Sequence, residues 1–136
     1  MTQPLSDRGY QSLARFRHAL RVFERFSEDA ARSAGMTPAQ HQLLLVIRGH
    51  SGDGAPSLSD VAAMLQLKLH SAGELVGRAE GRGLVSRSAD PVDHRRALLT
   101  LTPEGEAKLA ELSMLHRHQL RRFRRDMNNV LRELDA

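Results

Sequence analysis

Apolar residues recur at Leu13, Phe16, Leu20, Phe23 and Ala30, a three-four spacing that places them on one stripe of a helix over about residues 8–34. Arg15, Arg21, Arg25 and Arg32 occupy its other faces. Gly35 ends that helix, and Thr37-Pro38-Ala39-Gln40 opens the next one. Threonine caps it, proline takes the first helical position, and glutamine is spaced to close a capping box. The run Leu43-Leu44-Leu45-Val46-Ile47 predicts that this second helix is buried on most sides, and SGDGAP (51–56) then reads as a loop. Ser57, with Asp60 three residues on, caps a short helix whose inner face is Leu58, Val61, Ala62 and Leu65. Gln66-Leu67-Lys68 is a tight connection into a further helix over about 69–82, which Gly83 stops.

The pattern then changes period. Leu84-Val85-Ser86-Arg87 and Ala97-Leu98-Leu99-Thr100-Leu101 read as strands around the turn Asp90-Pro91-Val92-Asp93, which makes a hairpin. Thr102-Pro103 repeats the cap-plus-proline signal and starts a long helix with the stripe Leu109, Leu112, His116, Leu120, Phe123, Met127, Val130 and Leu134. A bend is expected near Arg125-Asp126. The order of elements is a helix-turn-helix followed by a β-wing. The fold class is therefore mostly α with a small β-hairpin: one domain, a winged helix-turn-helix over about 37–101 flanked by terminal helices at about 8–34 and 103–134.

With 136 residues the chain has room for one domain with a core of its own. There is no cysteine, which removes disulfides, thiolate metal sites and cysteine nucleophiles together. No apolar run approaches the span of a bilayer and the N-terminus has no signal core, so a cytoplasmic location and no membrane partner are expected. A net charge of +4 suits a polyanionic partner, but the excess is dispersed; residues 1–33 carry six basic and four acidic side chains. No catalytic constellation is present, and SGDGAP lacks the Lys-Ser/Thr pair of a phosphate-binding loop. No enzyme activity, cofactor or metal is assigned. His116 and His118 point to nearly opposite faces of a helix, and the other histidines (His18, His41, His50, His94) are scattered.

The stretch from Leu58 to Thr102, with RGLV (82–85) entering the first strand, Asp93-x-Arg95 at the wing tip and L-T-P-E-G after it, resembles the MarR family of winged-helix regulators. MTPAQHQLLLVI (36–47) fits its second helix, and the resemblance covers about residues 10–125. It implies a bacterial DNA-binding transcriptional regulator, most often a repressor. It further implies a homodimer on a pseudo-palindromic operator, built from the terminal helices. The same likeness implies a recognition helix in the major groove, a wing arginine reaching the minor groove, and control by a small ligand held between the dimerisation and DNA-binding parts.

Projected at 100° per residue, helix 69–82 puts Leu69, Ala72, Leu75, Val76 and Ala79 on the core side and His70, Glu74, Gly77, Arg78 and Gly81 outward, with Ser71 and Arg82 at one edge. His70 and Ser71 are the candidates for base-edge contacts. Glu74 either accepts from a cytosine amino group or pairs with Arg78. Arg95, braced by Asp93, is the candidate for a narrow, electronegative minor groove. Lys68, Arg78, Arg82, Arg87 and Arg96 are candidates for phosphate contact, which positions without specifying. Lys68 stands where the family has a capping side chain, and the glycines 73, 77 and 81 weaken the helix by roughly 2–3 kcal/mol relative to alanine. Gly77 and Gly81 either thin the face for close approach to DNA or mark a helix held only by its apolar side.

The terminal stripes are too long for a core of this size to bury unaided, which predicts an interface between two chains through Leu13, Leu20, Phe23, His116, Leu120, Phe123, Met127 and Val130. His116 reads first as a hydrogen-bonded interface histidine and second as a ligand or pH sensor. The basic run RRFRR (121–125) reads as a solvated face around Phe123, with membrane-surface binding a minor reading. By position, Phe16, Arg17, His41 and Leu45 are the candidate lining for a small organic ligand. The alternative to a DNA-binding regulator is a degenerate winged-helix dimer that serves as a protein-interaction module; the uncapped, glycine-rich helix with Glu74 motivates it.

Overall fold

Two of the helix starts close as reciprocal capping boxes. The Gln40 amide donates to Thr37 Oγ1 and the Thr37 amide to Gln40 Oε1, both at 3.1 Å, and so begin α2 (Pro38–Arg48). The Asp60 amide donates to Ser57 Oγ at 3.2 Å and the Ser57 amide to Asp60 Oδ2 at 2.9 Å, beginning α3 (Leu58–Leu65). Each box satisfies backbone donors that a helix N-terminus otherwise leaves open. Gln66 then adopts the left-handed conformation (φ 55°), turning the chain within three residues into α4 (Leu69–Gly81). Lys68, at the N-cap of α4, makes no side-chain cap.

The computed structural model describes residues 3–135, which form two compact units: residues 31–112, and residues 3–30 together with 113–135. The division falls inside the first helix, α1 (Asp7–Ser33), and the last, α5 (Pro103–Asp135).

In the unit 31–112, α2, α3 and α4 close around Leu43, Leu44, Val61, Val76 and Leu99, with Ala72 and Ala79 allowing close helix approach. β1 (Val85–Ala89) and β2 (Ala97–Leu101) pair antiparallel, Val85 opposite Leu101 and Ala89 opposite Ala97. β1 starts one residue later than the hydrophobic pattern suggests, because the Leu84 amide donates back to Ala79 O and so closes the turn that follows α4. A third strand-like piece, invisible in the sequence pattern, joins this hairpin. The Leu99 amide donates to Pro56 O at 2.9 Å, and Ser57 bridges Leu98. Buried Pro56 and Ser57 thereby become an edge of the wing.

In the other unit, α1 and α5 pack antiparallel through a ring cluster. Phe23 lies 5.1 Å from Phe123, Phe26 meets the His116 ring edge at 5.4 Å, and His116 Nε2 shares a 2.9 Å hydrogen bond with Ser27 Oγ. Further along, Glu133 binds both Ser12 and Arg15. His116 is buried and His118 exposed, as their helical spacing requires. α5 is helical without a break through Arg125-Asp126, where arginine and aspartate supply no missing N–H and no steric clash to interrupt the ladder.

Gly105 marks the tightest fit in the winged unit. A Cβ there would strike the Leu84 carbonyl, which itself accepts from the Thr102 amide. Gly77, by contrast, faces open space. Gly105→Ala is expected to cost about 1–3 kcal/mol. Gly77→Ala is expected to stabilise the chain by up to about 1 kcal/mol. Thermal unfolding followed by circular dichroism separates the two, with opposite signs of the shift in melting temperature.

Candidate nucleic-acid interface

The outer face of α4 carries His70, Ser71, Glu74, Gly77, Arg78 and Gly81, all exposed, as the helical projection places them. Neither Gly77 nor Gly81 has a neighbour within contact distance of a virtual Cβ, so no packing within the described chain requires glycine there. Glu74 does not pair with Arg78. Its Oε1 lies 3.2 Å from His70 Nε2, one turn earlier, because helical side chains lean toward the N-terminus.

Leu69 is a correction to the projection. It is 55% exposed and does not join the core. The core side of α4 is filled by Ala72, Val76 and Ala79, and Leu69 stands at the edge of that arc, beside the wing.

The wing tip is shaped by its aspartates. Asp90 Oδ1 accepts from the Val92 amide at 2.9 Å, and Asp93 Oδ1 accepts from the Arg95 amide at 3.1 Å. The Arg96 amide closes the turn onto Asp93 O. Asp93 Oδ1 also lies 3.4 Å from Arg95 Nε, while the Arg95 side chain is 94% exposed. The brace read from the spacing therefore exists, and it leaves the guanidinium projecting into solvent.

Arg87 and Arg96 are held to the helices by carboxylates. Arg87 binds Glu80 of α4 at 2.7 Å, and Arg96 reaches Asp60 of α3 at 3.3 Å. Exposed pairs of this kind add little stability, but they fix where the guanidinium groups sit. Arg82 is drawn the other way: its guanidinium donates to Gly35 O at 2.6 Å, in the turn before α2. Lys68 and Arg78 are exposed at the start and on the outer face of α4. Between the α3 start, the α4 start and the wing lies a cleft of about 390 Å³, to which Ser59, Leu69, Arg87, Arg95 and Arg96 contribute. The structure thus gathers Arg87, Asp93, Arg95 and Arg96 into one place and leaves Arg82 apart from it. Ser57, Ser59 and Leu69 are the additions that sequence reasoning did not assign to the site. Only the capping role of Ser57 had a local signal.

Asp60 joins the cap to the wing electrostatically. The hydrogen bond from the Ser57 amide, then that from the Ser57 hydroxyl, and lastly the charges of Arg96 and His50 hold its carboxyl below the ordinary 3.8, against a partial desolvation that acts the other way. Counted by unit, residues 31–112 carry nine basic and nine acidic side chains, so the whole net charge of +4 belongs to the terminal-helix unit.

The proposed ligand-lining residues fall in both units: Phe16 and Arg17 in one, buried His41 and half-exposed Leu45 in the other. Of the interface candidates, His116 and Val130 are already buried within one chain, whereas Leu13 and Leu120 are exposed. Leu20, Phe23, Phe123 and Met127 are half-buried. Among the described residues no three His, Asp or Glu side chains are grouped to hold a metal ion, and no helix is long and apolar enough to cross a membrane.

Residues 34–96 match the family model of the MarR family. A Thauera aromatica protein named as a transcriptional regulatory protein for the hcr operon is 30% identical over 96 residues, covering 71% of this chain and 56% of that protein. The chain thus spans little more than half the length of that relative. Among solved structures, AbsC, a MarR family transcriptional regulator from Streptomyces coelicolor, superposes with a TM-score of 0.76 at 23% identity, over 98% of this chain and 91% of AbsC. MepR of S. aureus, in its complex with DNA, superposes with a TM-score of 0.67 at 22% identity, over 78% of this chain and 77% of MepR.

The double role of Asp60 generates a pH-dependent expectation. A carboxyl with a lowered folded pKa contributes stability above its unfolded pKa and loses that contribution as pH falls through the folded value. The stability gap between the wild type and Asp60→Asn should therefore hold constant from pH 7 to about pH 5 and narrow below 3.8. Ser57→Ala should cost about 1 kcal/mol at pH 7. Urea unfolding at stepped pH measures both, and a gap that widens toward acid would refute the assignment.

Proposed function

We propose that the chain, whose residues 34–96 match the MarR family model, is a DNA-binding transcriptional regulator, acting as a homodimeric repressor on a pseudo-palindromic operator. The observation that carries this reading is the cleft between the starts of α3 and α4 and the arginine-tipped wing, beside which the polar face of α4 stands exposed. A helix of this width fits a major groove, and the exposed Arg95 guanidinium would enter the adjacent minor groove. Arg87 and Arg96, fixed by Glu80 and Asp60, would sit against the phosphates between the two grooves. MepR, of the same fold, was solved with DNA, which supports the same mode of use here.

The dimer is part of the proposal. Two antiparallel helices share one seam, and α1 and α5 leave Leu13, Val22, Leu120 and Leu131 exposed, with Val22 lining a cleft of about 330 Å³ between the two helices. A second copy would cover that surface and set two wings on two half-sites. Release by a small organic ligand is the finer element, sensed through buried His41 of α2. Titration calorimetry with aromatic carboxylates and phenols, repeated on His41→Ala, tests it.

One observation favours the rival reading of a protein-interaction module: the winged unit carries no net charge, and Glu74 stands on its outer face. DNA affinity separates the two. Fluorescence anisotropy with the chain's own promoter DNA and a scrambled duplex, at two salt concentrations, should give tight, promoter-specific and salt-dependent binding. Arg95→Ala, which removes no packing, should weaken it by about tenfold or more. Lys68→Ala should weaken both duplexes alike and lower the salt slope by about one. No binding even at low salt would leave the interaction module as the reading. Leu13→Glu with Leu120→Glu should shift the chain from dimer to monomer in light scattering and weaken operator binding with it.

A further inference from the structure

The α3–α4 turn exposes three large apolar side chains within six residues: Met64 at 69%, Leu67 at 39% and Leu69 at 55%. Single exposed leucines are ordinary on protein surfaces, but one that lines a cleft together with three arginines is not. Leu69 is the first residue of α4 and shares its wing-facing edge with Gly73 and Glu80; Glu80 in turn holds Arg87. Leu69 therefore lines the cleft whose other contributors include Arg87, Arg95 and Arg96.

This juxtaposition has a counterpart in DNA. The four base pairs differ in the major groove by their donors and acceptors, and thymine alone adds an apolar group, its 5-methyl. That methyl projects at the rim of the groove nearest its own strand's sugar-phosphate backbone. An apolar side chain bordered by guanidinium groups matches a methyl bordered by phosphates. Polar neighbours on α4 (His70, Ser71) would read donors and acceptors, and only Leu69 is placed to gain from the methyl. The charge of the cleft argues for a polyanion against an apolar protein segment as the occupant.

Resting on the regulator reading, we propose that Leu69 is a specificity-determining residue that packs on the 5-methyl group of one thymine in each operator half-site. Uracil differs from thymine by that methyl alone, so the contact can be removed without touching the protein. Duplexes that bind the wild-type chain are selected from a random library, and each thymine of the selected site is replaced in turn by uracil. One position per half-site should lose about fourfold in affinity, the factor that burial of a single methyl-sized group provides. Leu69→Ala, whose exposed side chain carries no core packing, should bind the thymine and uracil duplexes equally at that position. Full sensitivity retained in Leu69→Ala, or indifference to every methyl in a chain that still binds DNA in a salt-dependent way, overturns this proposal alone. A chain that selects no duplex overturns the regulator reading and this one with it.

Discussion

The short segment Pro56–Asp60 holds the winged unit in register. Ser57 and Asp60 exchange hydrogen bonds that begin α3, Pro56 O accepts from Leu99 in the wing, and Asp60 reaches Arg96 on the same wing. One stretch of chain is thus a helix cap, a strand-like edge and an ionic anchor at once. The hairpin cannot tilt away from the helix-turn-helix without breaking backbone hydrogen bonds at a buried position, where unsatisfied donors are costly. A two-stranded hairpin alone would be marginal. Here it is backed by α2, α3 and the Leu99 side chain in the core. The orientation of Arg95 depends on this pinning, because an arginine at the tip of a loose hairpin would have no fixed distance from α4.

The charges near the proposed DNA surface follow the same economy. Arg87, Arg95 and Arg96 each have a carboxylate partner, and His70 has Glu74. In water such pairs are weak, but they hold long side chains in place before any ligand arrives and lower the entropy lost on binding. The winged unit is neutral as a result, so its affinity for DNA would come from local geometry at the cleft rather than from its overall charge. The positive excess lies on α1 and α5, on arginines that the seam between those helices leaves exposed.

That seam explains why the terminal helices suit an interface. The ring cluster of Phe23, Phe26, Phe123 and His116, with the Ser27 hydrogen bond, supplies one strip of burial along two long helices. Leu13 and Leu120 belong to the same stripes and yet stand exposed, as does Leu131. Two helices whose shared stripe is only partly covered are the pattern of half a bundle.

Helix starts, turns and the order of elements were legible along the chain, because capping, periodicity and glycine placement act between residues a few positions apart. Thr37-Gln40, Ser57-Asp60, Asp93-Arg95 and the stripes of α1 and α5 all belong to this class, and so does the outward face of α4. What the tertiary structure decided is everything carried by contacts distant in sequence. The Asp60–Arg96 pair spans 36 positions, the Arg82–Gly35 bond 47, and the Pro56–Leu99 pairing has no periodic trace at all. Leu69 shows the boundary most clearly. Its place in the helical period assigned it to the core, yet the wing, a separate element folded alongside, determines which edge of α4 is covered and leaves that leucine facing a cleft of arginines.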